Sequence, residues 1–243
     1  MVKLMSRRAR FSFVTGLLLL SMSAWAIAGS RISNVILEID SQGRGITEIT
    51  NIGQEPLGYV VEALSWQVID GEDRYEPTSD FMAVPPNFRL GPGQSRIVRV
   101  GFRKPQPQPV ERAYRLAVQE VPPETGEAGV ALVYRHLLAV FIAPAGGARP
   151  QSLEWSLSPG PGDDWRLRVT NTGNRRVSIR DVRVPQGKGE PVSVGSDRWS
   201  TVLAQTWREL RVPASLVNRA GVDLEVQYAN ASVKKVTVIP GTP

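Results

Sequence analysis

Cysteine is absent from the 243-residue chain, and histidine occurs once, as His136. Without thiols there is no disulfide scaffold, no thiol chemistry and no cysteine-ligated metal. One imidazole cannot supply the three or four ligands that a zinc site takes. A Ser-His-Asp arrangement would have to use His136, yet no serine sits in a Gly-x-Ser-x-Gly elbow. His136 therefore reads as a packed or half-exposed strand residue. No glycine run leads from a strand into a helix, so a phosphate-cradling loop is missing as well. Asp163, Asp164 and Glu209 stand among turn and strand residues without an accompanying pattern and read as solvated surface. The expectation is a protein that is not an enzyme and takes no cofactor or metal. Charge of one sign is also scarce. The formal net charge is +6, but Lys3, Arg7, Arg8 and Arg10 lie in the first ten residues with no acid to offset them. Without them 25 bases face 23 acids, a net of +2, too little for a nucleic-acid-binding field.

What the chain does contain begins with an export signal. The four bases precede an apolar run over 11–20, and Ala26-Ile27-Ala28 follows, a small-residue pattern that a signal peptidase would cut before Gly29. Gly16, Ser21 and Ser23 interrupt the run and argue against a retained anchor. Arg7-Arg8 is a poor twin-arginine match, because the residues after it depart from that pattern. The expectation is a signal peptide over 1–28 and an exported mature chain starting near Gly29 or Ser30. Since no second apolar stretch reaches spanning length, no stable membrane insertion is expected after cleavage.

After residue 30, short alternating apolar segments separated by Gly, Pro, Asn and Asp replace any helical periodicity, which is the signature of an all-β sandwich. Strands are predicted over 34–39, 45–51, 58–69, 95–102, 114–121 and 130–142. In 95–103, Val98, Val100 and Phe102 face one way and Arg99 and Arg103 the other. Residues 144–150, Pro-Ala-Gly-Gly-Ala-Arg-Pro, have no periodicity and read as a hinge. A second set of strands is predicted over 153–157, 165–170, 177–184, 206–212, 222–228 and 233–239. Each half has about 100 residues, the usual size of an immunoglobulin-like sandwich. The halves also share Glu48-Ile49-Thr50-Asn51-Ile52-Gly53 and Arg168-Val169-Thr170-Asn171-Thr172-Gly173, a strand running into an Asn-x-Gly turn. Asn and Gly tolerate the left-handed backbone of tight turns. Two immunoglobulin-like domains are expected, over 29–146 and 147–243.

Of the six tryptophans, Trp25 belongs to the signal, while Trp66, Trp155, Trp165, Trp199 and Trp207 are spread over both halves. Such rings can form a carbohydrate platform, but sandwich cores use them routinely, and core packing is the preferred reading.

From Trp66 onward the first half runs Trp66-Gln67, Glu76-Pro77-Thr78-Ser79-Asp80, Val84-Pro85-Pro86-Asn87-Phe88-Arg89-Leu90-Gly91-Pro92-Gly93-Gln94, Ile97-Val98-Arg99-Val100, then Tyr114-Arg115-Leu116 and Glu120-Val121-Pro122-Pro123. This order and spacing resembles the periplasmic chaperones of chaperone-usher pili, and most of all the archaic branch that serves spore-coat-type pilins. The motifs cover about residues 60–145, and the second half matches in length and strand character only. The resemblance implies a boomerang of two immunoglobulin-like domains with a cleft between them, acting in the periplasm. Such a chaperone lends its own edge strand to a pilin subunit whose sandwich lacks its last strand, which is β-augmentation. The outer-membrane usher then exchanges that strand for one from the next subunit, and no nucleotide is consumed.

Residues 130–142, Val-Ala-Leu-Val-Tyr-Arg-His-Leu-Leu-Ala-Val-Phe-Ile, form the most apolar strand candidate. Counting back from Phe141…Pro144 as the family does selects Val130, Leu132 and Tyr134 as donor residues. Family members also anchor the subunit's C-terminal carboxylate with a basic pair in the cleft. This sequence departs from the P-pilus pattern, because Ala139 stands where a lysine is expected and 34–39 holds no base. Arg115 is the first candidate for a relocated anchor, then Arg112 and Arg135, with Arg103 and Arg149 also open. The competing expectation is a secreted two-domain carbohydrate-binding or adhesive module. A pilus subunit fits less well, since subunits are usually single sandwiches that receive a strand. The sequence leaves open whether the free chain covers its donor strand by self-association.

Overall fold

The computed structural model describes residues 29–103, 108–121, 133–150, 152–187, 189–195 and 200–241. The first half folds into β1 (Ser30–Ile32), β2 (Ile36–Ile39), β3 (Arg44–Asn51), β4 (Leu57–Ile69), β5 (Glu72–Pro77), β6 (Phe81–Val84), β7 (Asn87–Leu90), β8 (Ser95–Phe102), β9 (Arg112–Val121) and β10 (Arg135–Ile142). The second half contributes β11 (Leu153–Pro159), β12 (Asp164–Asn171), β13 (Val177–Gln186), β14 (Gly189–Ser193), β15 (Thr201–Val202), β16 (Trp207–Pro213), β17 (Val222–Tyr228) and β18 (Val233–Val238). Among the described residues the only helical piece is a 3-10 turn at Ala214–Leu216.

Two sheets make the first sandwich, β1-β3-β8-β6 facing β2-β10-β9-β4-β5, with β7 added alongside β4. Alternation drives the packing. On β8, Val98, Val100 and Phe102 are buried in a core with Ile49, Tyr59, Phe81, Leu116, Leu138 and Val140, and Arg99 faces out. The second sandwich sets β11-β12-β16 against β14-β13-β17-β18 around Leu167, Val169, Val182, Val212, Leu224 and Val226. No strand is shared between the two pairs of sheets, and the chain passes between them from Ile142 to Leu153, turning at Gly146 and Gly147 with positive φ.

The shared Asn-x-Gly pattern is a structural repeat, although not through a left-handed backbone: neither asparagine nor its following glycine has positive φ. The asparagine side chain closes the turn instead. Asn51 and Asn171 are fully buried. In the first half, Asn51 Oδ1 accepts from Gly53 N at 2.8 Å, and Nδ2 donates to Glu55 O at 2.8 Å and Leu90 O at 3.1 Å. In the second half, Asn171 Oδ1 accepts from Gly173 N at 3.0 Å, and Nδ2 donates to Arg175 O at 2.9 Å and Val202 O at 3.1 Å. Both amide hydrogens and the oxygen of each buried side chain are hydrogen-bonded, as burial requires.

Several strands lie outside the sequence expectation. β5 is a polar Glu-Asp-Arg-Tyr-Glu-Pro segment held by its register against β4, so pairing outweighs its weak strand propensity. β1 adds Arg31, an exposed base upstream of the predicted first strand. Of the candidate strand over 130–142, Arg135–Ile142 form β10; Val130 and Leu132 lie outside the described residues, and Tyr134 just precedes β10.

The sandwiches touch through a small apolar cluster. Trp66, Ala139 and Phe141 from the first half pack with Leu203 from the second. Beside it Arg208, 1% exposed, donates to Gly71 O at 2.8 Å and Thr201 O at 3.3 Å and ion-pairs Asp73, which also accepts from Trp66 Nε1 at 2.6 Å. Trp155 and Trp165 pack against the second core, and the Arg168 guanidinium lies 4.0 Å from the Trp207 ring centroid. Trp199 lies outside the described residues.

Candidate functional site

β10 is an inner strand for only half its length. It pairs antiparallel with β9 from Arg135 to Ile142, but parallel with β2 only from Ala139 onward. The hydrogen bonds fix which main-chain groups face which neighbour. Glu120 N donates to Tyr134 O at 2.9 Å, so even-numbered residues face β9; Ala139 N donates to Val35 O at 2.9 Å, so odd-numbered residues face the other edge. Arg135 and Leu137 therefore turn their main-chain groups to an edge that no described strand covers, the kind of edge another chain can pair with. Side chains alternate likewise. Leu138 and Val140 enter the first core, whereas Ala139 and Phe141 face the second half. Tyr134 and His136 continue the even phase, with rings stacked at 6.0 Å; Tyr134 is 42% exposed and His136 half-buried.

The basic candidates separate by their partners. Arg112 Nη2 donates to Asp80 Oδ2 at 2.5 Å, and Arg135 Nη2 to Glu62 Oε2 at 3.0 Å. Arg103 Nη2 contacts Met82 Sδ at 3.4 Å, and the Arg149 backbone N donates to Asn174 Oδ1 at 2.9 Å. Arg115 differs from Arg112 and Arg135 in having no carboxylate partner among the described residues. Its guanidinium lies 3.7 Å from the Trp66 ring centroid and 5.6 Å from that of Tyr75, its Nε is buried without a hydrogen bond, and Nη1 donates to Leu137 O at 3.3 Å. Arg115 is the cross-strand neighbour of Ala139, so the cation occupies the space beside the small residue where the P-pilus pattern would carry its lysine.

A second basic group was not visible in the sequence. Arg175 and Arg176, just before β13, meet Glu38 of β2 and Glu111 ahead of β9. Arg175 reaches Glu38 and Glu111 at 3.3 Å each, Arg176 pairs with both, and the Arg176 guanidinium lies 3.5 Å from the Phe141 ring centroid. Burial raises the Glu111 carboxyl above its ordinary value, opposed by its hydrogen bond to Arg176 N and by both guanidinium charges. Residues more than 130 apart in sequence make this cluster, and no short motif encodes it. Asp163, read as solvated, is exposed, whereas Asp164 and Glu209 are half-buried and ion-paired across strands with Arg211 and Arg168.

Tyr114 packs in the first core against Phe81 and Phe102, its hydroxyl donating to Asp80 Oδ2 at 2.7 Å. Burial first, then the Asp80 bond, raise its phenol well above the ordinary value, and burial raises Tyr59, Tyr75 and Tyr228 as well. A raised folded-state value means that the unfolded chain releases these protons first. Stability is thus fully present below pH ~10 and lost as pH rises above it. The urea midpoint is expected to fall between pH 9 and pH 12, and Tyr114→Phe to flatten that fall; an equal slope in the variant would refute the assignment.

Among the described residues no group of three or more His, Asp or Glu side chains is placed to hold a metal ion, and no helix is long and apolar enough to cross a membrane.

No curated protein sequence matches the chain. Residues 29–148 match the family described as pili and flagellar-assembly chaperone, PapD N-terminal domain. Among solved structures, the chain is similar to one in the CsuC-CsuE chaperone-tip adhesion subunit pre-assembly complex from archaic chaperone-usher Csu pili of Acinetobacter baumannii, at 15% identity and a TM-score of 0.66, covering 88% of this chain and 100% of that one. The Escherichia coli chaperone DraB is similar at 18% identity, TM-score 0.61, with 88% and 97% covered. The Pseudomonas aeruginosa CupB2 chaperone is similar at 20% identity, TM-score 0.56, with 88% and 100% covered. These likenesses carry the two-domain all-β fold, and the match over 29–148 places the first sandwich in the family of pili and flagellar-assembly chaperones.

Proposed function

We propose that this protein acts in the periplasm, binds pilin subunits by donating the segment that leads into β10, and passes them to an outer-membrane usher, with 29–146 as the donor domain and 147–243 as its partner. The observation that carries the reading is the half-covered β10. Arg135 and Leu137 turn main-chain groups to an edge that no described strand covers, and the sequence before them places Val130, Leu132 and Tyr134 in one alternating apolar phase. Three such side chains buried in a subunit contribute roughly 1.5–3 kcal/mol each. Kinship with the archaic branch is part of the same proposal, supported by the motif string and by Ala139 standing where the P-pilus pattern expects a lysine.

Arg115 is assigned as the anchor for the subunit's terminal carboxylate. What supports it over Arg112 and Arg135 is that those two are already neutralised by Asp80 and Glu62. Co-expression with a pilin from the same genome tests this. Arg115→Ala is expected to weaken capture about 10- to 100-fold, the worth of a hydrogen-bonded charge, with Arg112→Ala and Arg135→Ala close to the unmodified chain. Equal capture by all three variants would remove Arg115 from the role.

A further inference from the structure

Glu120 is part of the Glu-Val-Pro-Pro motif, yet neither the core nor the anchor uses its charge. It is 2% exposed, and a carboxylate so deeply buried persists only where hydrogen bonds replace water. Its bonds converge on the start of the donor segment. Glu120 N donates to Tyr134 O at 2.9 Å, and Glu120 Oε2 accepts from Tyr134 N at 3.3 Å. One residue therefore holds both main-chain groups of Tyr134. The second bond departs from the sheet ladder, in which Tyr134 N would donate to Glu120 O; that carbonyl accepts instead from Gln119 Nε2 at 3.1 Å. The other carboxylate oxygen accepts from Ser30 Oγ, which in turn accepts from the Tyr59 hydroxyl at 2.9 Å. His136 Nε2, buried and without a hydrogen bond, stands 3.6 Å from the same oxygen. Regular β9–β10 pairing ends at Gln119 and Arg135, so among the described residues this is the outermost grip on the segment that is lent.

Such a grip matters because strand side chains alternate. A slip by one residue would present Ala131, Val133 and Arg135 to the subunit in place of Val130, Leu132 and Tyr134. We propose that Glu120 is a positioning residue that sets the register of the lent strand, by clamping both main-chain groups of Tyr134 with a carboxylate held in place by Ser30 and Tyr59. The register function rests on the donor-strand reading above, whereas the clamp can be examined in the free protein.

The test uses site-resolved amide exchange on the full mature chain, alone and in complex with a pilin from the same genome, for Glu120→Gln and Ser30→Ala. In the free protein Tyr134 is expected to exchange about tenfold faster in Glu120→Gln, the difference between a charged and a neutral acceptor, while the amides of Val118 and Val140 keep their protection. In the complex the unmodified chain is expected to protect the edge-facing odd amides at 131, 133 and 135, and the variants to show mixed odd and even protection with lower pilin yield. Unchanged exchange at Tyr134 in both variants would overturn the clamp. Faster exchange with an intact odd pattern and normal yield would overturn the register role. Failure of the unmodified chain to capture a pilin would overturn the donor-strand reading and the register role with it, and the free-protein exchange alone would then decide the clamp. Ser30→Ala removes no buried charge, so it serves if Glu120→Gln fails to fold.

Discussion

Leu132→Asp or Tyr134→Asp is expected to abolish the complex with a pilin while leaving the chaperone folded. A carboxylate carried into an apolar groove forfeits the transfer free energy of the side chain it replaces, and it also brings a charge that the groove cannot pair. Even the lower bound, about 1.5 kcal/mol for the lost apolar burial, is a tenfold loss before the charge is considered. Tyr134 is 42% exposed and lies outside the regular strand, so aspartate there leaves the first core untouched. Co-elution after co-expression reads the complex, and thermal unfolding of the free protein reads the fold. Normal pilin yield with both variants would end the donor-strand proposal.

Arg208→Ala is expected to cost about 3–5 kcal/mol, the usual penalty for removing one partner of a buried ion pair. The side chain comes from β16 of the second sandwich, and its partners in the first are Gly71 in the β4–β5 turn and Asp73 near the start of β5. Its loss strands Asp73, loosens the bond from Trp66 Nε1, and opens the surface between the halves. The two sandwiches should then unfold at separate urea concentrations, followed by the fluorescence of Trp66 against that of Trp155 and Trp165. Arg208→Lys is not expected to restore the native behaviour, because a point charge cannot reach the Gly71 carbonyl, the Thr201 carbonyl and Asp73 together. Gly71→Ala probes the same join independently. Gly71 has a φ of +79°, and an added Cβ would lie 2.6 Å from the Trp207 ring, so both backbone strain and a clash act there. A single transition with an unchanged midpoint in Arg208→Ala would show that the join carries little of the stability.

Much of this architecture is written in local pattern. The period-two alternation of Val98, Val100 and Phe102 already marks a strand and its buried face, and the strands over 95–102 and 222–228 are found with their predicted ends. The twin Asn-x-Gly segments mark equivalent turns, although the mechanism is a buried amide and not a left-handed backbone. The strands missed were those without alternation of their own, such as β5, whose place depends on what β4 offers it. At the candidate site the sequence supplied a ranking of arginines, Arg115 ahead of Arg112 and Arg135, but none of their partners. Arg112, Arg115 and Arg135 look alike in one dimension, and only the fold gives two of them carboxylates, from Asp80 and Glu62.

From its sequence alone, this chain is all-β, is built as two sandwiches of similar size, and carries the motifs of a pilus chaperone in the first, because alternation, turn chemistry and motif spacing are all short-range properties. The tertiary structure decided which of Arg112, Arg115 and Arg135 has no carboxylate partner among the described residues, how the Arg175, Arg176, Glu38 and Glu111 cluster forms between the halves, and that Glu120 is buried against Tyr134. Those are matters of strand register and of contacts between residues far apart in the chain, and a charge acquires its meaning only from the groups that folding brings within a few ångströms of it.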